Sequence, residues 1–146
     1  TLNQTGKDTD QKDGMDLTMI TYDQKANILQ FAGANNPIFH IHQGELNEIK
    51  GDRMPIGVYG EFETSFTNHN ISITPGDRIY MFTDGYVDQF GGPQFKKFKF
   101  NRFRNLIMDI QGEDFEKQQS ILNETLKKWR GKFEQIDDIL IMGVGF

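Results

Sequence analysis

The chain has 146 residues, 36% of them hydrophobic and 25% charged, which suits one domain with a real core and leaves too little for two ordinary ones. The absence of Cys excludes disulfides and thiolate metal sites, and a net charge of −5 argues against nucleic acid as the main partner. The three His (His40, His42, His69) lack the His-x-x-x-His spacing of a zinc protease, and thirteen Phe against one Trp put much of the core into aromatic packing.

Residues 1–12 are polar, without a hydrophobic period, and are expected to be a flexible segment. Strands are expected at 16–22 and 28–32 across a polar turn at 23–26, and the Gly33-Ala-Asn-Asn-Pro37 break then interrupts the sheet. Residues 38–41 and 46–49 flank Gln43-Gly44 as a hairpin, and 50–61, with Pro55 and three Gly, read as a loop. Strands at 66–73 and 78–83 are separated by the Pro75-Gly-Asp turn.

After a loop at 84–94, Phe100, Phe103, Ile107 and Ile110 fall at helical spacing. So do Phe115, Leu122, Leu126 and Trp129, behind Gly112-Glu-Asp, and a last strand is expected at 136–144. This order gives a mixed α/β or α+β domain. No run approaches the roughly 18 apolar residues of a membrane span. No basic-then-apolar leader opens the chain, so a cytoplasmic location is expected.

The chemistry is concentrated in two places. Asp84 ends the strand at 78–83, is followed by Gly85, and has Asp88 four residues on; Asp137-Asp138 enters the last strand. Carboxylates fixed at strand ends suit a hard divalent cation, which takes oxygen ligands and keeps several waters. Adjacent carboxylates repel unless a cation or solvent offsets them. Asp-Gly by itself is equally the signature of a turn, so spacing alone leaves both readings open.

Asp13-Gly-Met-Asp16, Ala32-Gly-Ala-Asn-Asn-Pro37, Met54-Pro-Ile-Gly57, Pro75-Gly-Asp-Arg-Ile-Tyr-Met-Phe-Thr-Asp-Gly-Tyr86 and Gln135-Ile-Asp-Asp-Ile139 occur in this order. Together they resemble the C-terminal part of the catalytic domain of SpoIIE/RsbU-type serine phosphatases, a bacterial branch of the metal-dependent PPM (type 2C) protein phosphatases. The resemblance covers residues 13–146. It implies an α+β fold, a PPM-type β-sandwich flanked by helices, here incomplete, with the first strands of the domain missing. It also implies that Asp84 and Asp137 are metal ligands, with Gly85, Asp138 and Asn36 supporting the site.

The family's earlier Gly-Asp-x-x-Gly-His-Gly-type motif, which carries the metal-bridging Asp, has no counterpart in this sequence. The chain is therefore expected to be a fragment, inactive alone. In the complete domain the resemblance implies two Mn²⁺ or Mg²⁺ ions and in-line hydrolysis of phosphoserine or phosphothreonine. The expected partners are a phosphorylated protein, such as an anti-sigma-factor antagonist, and an upstream sensor domain through which the parent chain can be membrane-attached. The alternative is a non-catalytic regulatory module that binds a phosphoprotein.

Three further features complete the reading. The basic and aromatic strip from Lys96 to Arg104 is read as a helix with a wet charged side, with no nucleic-acid role, though it can attract an acidic phosphoprotein. His40 and His42 share a strand face without a third ligand near them in sequence and read as surface or half-buried. Gly91-Gly-Pro93 reads as a loop able to shift near the site. Missing strands would leave a sheet edge open, so self-association as a swapped or edge-to-edge homodimer is expected.

Overall fold

The computed structural model describes residues 14–57 and 65–146; the expected flexible segment at 1–12 and part of the expected loop at 50–61 lie outside them. Strands β1 (Leu17–Asp23), β2 (Ile28–Ala34) and β5 (His69–Ser72) form one sheet in the order β1-β2-β5. Strands β3 (Ile38–His42), β4 (Glu45–Ile49), β6 (Arg78–Phe82) and β9 (Ile141–Gly145) form a second, in the order β4-β3-β6-β9. All ladders in the two sheets are antiparallel.

Local chemistry explains the turns. Asp23 closes the β1–β2 turn by accepting the backbone N–H groups of Lys25 and Ala26 through Oδ1, at 2.8 and 3.1 Å. Gln43 and Gly44 both have positive φ (51° and 81°), the mirror-image turn whose twist suits a two-residue hairpin. In the β5–β6 turn, Pro75 precedes Gly76 at φ 95°, and Asp77 N–H donates to Thr74 O at 3.0 Å, closing a type II turn.

The sheets face each other across a small apolar layer of Leu29, Phe31 and Ile73 against Ile38 and Ile79. The opposite face of the second sheet carries the larger core. There Phe39, Ile41, Leu46, Tyr80 and Phe82 meet residues from three helices: α1 (Gly85–Asp88), α2 (Phe100–Ile110) and α3 (Phe115–Arg130). Strand alternation explains the split, since Ile38 and Phe39 are neighbours that point to opposite cores. The expected faces of the late helices hold at Phe103, Ile107, Ile110 and Leu122, which are buried, but not at Phe115, which is 41% exposed at the start of α3. Asp114 caps α3 by accepting Lys117 N–H at 2.7 Å.

Several boundaries differ from the sequence reading. The last strand begins at Ile141, five residues later than expected, so Asp137 and Asp138 lie in the segment leading to it. Strand β5 keeps only His69–Ser72 of the expected 66–73. The expected loop at 84–94 contains α1 and the first strand of a short hairpin, β7 (Phe90–Gly91) with β8 (Lys96–Lys97).

That loop is also pinned in place. Gly92 N–H donates to Trp129 O at 2.8 Å, and a Cβ on Gly92 would lie 2.7 Å from the Trp129 ring. No helix among the described residues is long and apolar enough to cross a membrane, a statement that does not extend to β-barrels.

Candidate metal and phosphate site

Asp84 stands where β6 passes into α1. It occupies the N-cap position of that helix, yet its carboxylate makes no capping hydrogen bond. The side chain of an N-cap Asp ordinarily satisfies a helix N–H, and this one does not. Asp84 is exposed. Its carboxyl is nevertheless held above the ordinary range, first by partial desolvation and then by the negative charges of Asp137 and Asp88, with Asp16 adding less. Its own backbone N–H offsets part of this.

Tertiary structure thus brings Asp137 and Asp16 to Asp84 from far along the chain. In the sequence Asp16 stands out only as part of the Asp13-Gly-Met-Asp16 motif, with no local signal that places it near Asp84. It is steadied by Asn35, whose Nδ2 donates to Asp16 Oδ1 at 2.7 Å from a backbone with φ 61°. Asp88 is the member with a cation partner, Lys97 Nζ at 2.7 Å.

Thr83 fixes the segment that carries Asp137. Its hydroxyl donates to Asp138 O at 2.8 Å and accepts Leu140 N–H at 3.0 Å, while its own N–H donates to Leu140 O at 3.1 Å. Asp137 Oδ1 accepts Asp138 N–H at 2.7 Å. Gly85 lets this segment approach, because a Cβ there would lie 2.4 Å from Asp138 O. Asp138 therefore contributes backbone spacing and carbonyl contacts, a role not visible in the Asp-Asp pair.

Buried Gln89 ties the far side of the segment. Its Nε2 donates to Glu134 O at 2.9 Å, and its backbone carbonyl accepts Trp129 Nε1–H at 3.0 Å. Asn36 lies across a groove of about 460 Å³ between β1 and β9, lined also by Asp16, Met19, Thr83, Leu140 and Met142. Its carbonyl oxygen sits so close to Gly33 and Gly51 that neither position has room for a side chain.

Oxygen-only donors gathered against mutual repulsion fit a hard divalent cation, and among the described residues no imidazole joins the groups that act on Asp84. Among the described residues, no three acidic groups here bring ligand atoms within 4.8 Å of one another.

Three cations of the basic strip from Lys96 to Arg104 are engaged within the chain, while Lys96 and Lys99 are exposed. Arg102 lies over Trp129 at 4.4 Å, Arg104 donates to Leu46 O at 3.0 Å, and Lys97 pairs with Asp88.

Two facing antiparallel sheets, a helical layer against one of them and acidic residues gathered around Asp84 define a PP2C-type phosphatase fold. The SiaA PP2C domain of Pseudomonas aeruginosa superposes with a TM-score of 0.82 at 30% identity, over 90% of this chain and 51% of that one. The PP2C phosphatase domain of SpoIIE from Bacillus subtilis, with a fragment of its regulatory domain, gives 0.67 at 17% identity, over 90% and 37%. The catalytic domain of the serine/threonine phosphatase PstP, in complex with two manganese ions, gives 0.58 at 16%, over 89% and 57%.

The chain belongs to the SpoIIE family, whose model, described as Stage II sporulation protein E (SpoIIE), matches residues 1–146. Comparison with curated proteins finds no match. The chain spans between about a third and three fifths of the length of these structures.

Proposed function

We propose that this chain is the C-terminal part of a metal-dependent protein serine/threonine phosphatase domain in a bacterial signalling protein. The observation that carries this is the SpoIIE-family match over the whole chain, together with the placement of Asp84 at the end of β6 beside the segment that carries Asp137. Asp84 and Asp137 would hold Mn²⁺ or Mg²⁺, and the PstP neighbour, which contains two manganese ions, supports that choice. A cation bound there supplies Lewis acidity toward water and offsets charge on phosphoryl oxygens.

The chain's own residues position the ligands. Thr83 and Gly85 hold the Asp137 segment against β6, Asn35 orients Asp16, and Lys97 neutralises Asp88. The exposed apolar residues Met19 of β1, Met142 of β9 and Leu140 just before β9 would be covered by the part of the domain that this chain does not span. The substrate would be a phosphoserine or phosphothreonine protein of the anti-sigma-factor-antagonist kind, in the cytoplasm, with a sensor domain upstream.

In the intact protein, Asp84→Asn is expected to abolish Mn²⁺-dependent hydrolysis of a phosphoserine peptide with the circular dichroism spectrum unchanged. Near-normal turnover in that variant would overturn the ligand assignment. An intact wild-type protein that is folded, manganese-loaded and inactive would favour a non-catalytic phosphoprotein-binding module.

A further inference from the structure

At the other end of β6 from Asp84 lies a second group of ligand-type side chains. His40 and His42, two apart on β3, face the same side as Ile38, toward the space between the sheets. Between them stands Asp77 of the β5–β6 turn, which is 1% exposed. His40 Nε2 lies 2.9 Å from Asp77 Oδ2 and His42 Nδ1 lies 2.9 Å from Asp77 Oδ1, one imidazole on each carboxylate oxygen.

The potential ligand atoms of all three residues fall within 4.8 Å of one another. The five residues of β6 separate this group from the Asp84 site by about 17 Å of strand.

The geometry points to a binding site for a borderline divalent metal of the Zn²⁺ class, ligated by His40, His42 and Asp77. The donor set is the first argument. Two imidazoles and one carboxylate suit Zn²⁺ or Co²⁺, whereas the oxygen-only donors at Asp84 suit Mg²⁺ or Mn²⁺.

Charge is the second argument. No Lys or Arg among the described residues pairs with Asp77, so with neutral imidazoles the buried carboxylate carries an unbalanced charge that a cation would neutralise.

The third argument is orientation. Thr74 N–H donates to Asp77 Oδ2 at 3.1 Å and its hydroxyl to Oδ1 at 3.0 Å, the kind of outer contact that holds a ligating carboxylate in place. Access is the fourth, since the His42 side chain is 34% exposed and Glu45 stands opposite it across the β3–β4 ladder, adding negative charge at the entrance.

In the metal-free protein the same nitrogens donate to Asp77, because an ionised carboxylate can only accept. Metal binding replaces those two hydrogen bonds. Each neutral ring then carries its proton on the other nitrogen and presents a lone pair. Bonds of about 2.0–2.1 Å in a tetrahedral shell need ligand separations of roughly 3.3 Å, so the two 2.9 Å His–Asp contacts open by a few tenths of an ångström, and every pair of ligand atoms already lies within 4.8 Å.

The consequence is structural. Asp77 O accepts Phe146 N–H at 3.0 Å and Gly76 N–H donates to Phe146 O at 2.8 Å. A metal here would fasten β3, the β5–β6 turn and the residue that follows β9 together.

The test is titration of the full-length protein with Co²⁺ in excess Mg²⁺, followed by visible absorption and then displacement with Zn²⁺. One equivalent with nitrogen-type ligand-field bands is expected, retained in Asp84→Asn and weakened at least ~10-fold in His42→Gln. The proposal is overturned if no such bands form, if His42→Gln binds as wild type, or if Asp84→Asn abolishes binding. Should His42→Gln fail to fold, imidazole ¹⁵N spectra of the wild type decide. Zn²⁺ must shift His40 Nε2 and His42 Nδ1 in a stoichiometric complex, and unshifted nitrogens would refute the site.

Discussion

Gly85→Ala tests how the Asp137 segment is held against Asp84. An ideal Cβ at Gly85 lies 2.4 Å from Asp138 O and 3.0 Å from both Asp138 C and Ile139 Cγ1. Ordinary contact begins at 3.4 Å, so the segment must recede by about 1 Å (3.4 minus 2.4). It cannot do so freely, because Thr83 grips Asp138 O and Leu140 through three hydrogen bonds. Overpacking of this kind costs about 1–3 kcal/mol, against a helix-propensity gain for Ala of up to ~1 kcal/mol. A displacement of about 1 Å at a reacting centre costs on the order of 10²-fold in rate.

The expected result in the full-length protein is a lower urea midpoint and a roughly hundredfold fall in Mn²⁺-dependent phosphopeptide hydrolysis. Gly112→Ala is the control, since a Cβ there meets nothing within 4 Å. If the two variants match in stability and turnover, the close approach at Gly85 does not position the site.

Asp77 gives an acid-stability prediction for metal-free protein. Burial alone raises its carboxyl, but hydrogen bonds from His40, Thr74 and His42 outweigh that and bring it from 3.8 to about 2. A depressed folded-state value stabilises above the unfolded one. About 2 kcal/mol, present above pH 4, is therefore lost as pH falls toward 2, and Asp77→Asn should flatten that part of the urea-midpoint profile. An unchanged profile in the variant would refute this.

Gln89→Leu removes the amide that binds Phe90 O and Glu134 O inside the protein. It should cost about 1–3 kcal/mol in chemical denaturation, and a neutral effect would mean the segment is held elsewhere. The 146-residue chain, with Met19 and Met142 exposed on edge strands, is expected to self-associate; a monomer by light scattering at high concentration would count against it.

Sequence by itself determined whatever depends on neighbours along the chain. The Gln43-Gly44 and Pro75-Gly76 turns, the buried faces of α2 and α3, and Asp84 at the end of a strand all follow from periodicity and local backbone preference. The five ordered motifs carried the family, which the match over residues 1–146 shows.

Only the tertiary structure decided which distant groups meet. Asp16, just before β1, comes near enough to add a minor charge effect at Asp84 only through the fold, and no pattern along the chain announces it. Asp77 read as a turn residue and His40 and His42 as alternating strand positions. They meet because β3 pairs with β6 in the register His40↔Ile79, which brings the start of β6 beside the end of β3. The late start of β9 has the same origin. A strand exists only where a partner ladder does, and β6 pairs with β9 only from Phe82↔Ile141 back to Arg78↔Gly145, leaving 136–140 to be held by Thr83 and Gly85.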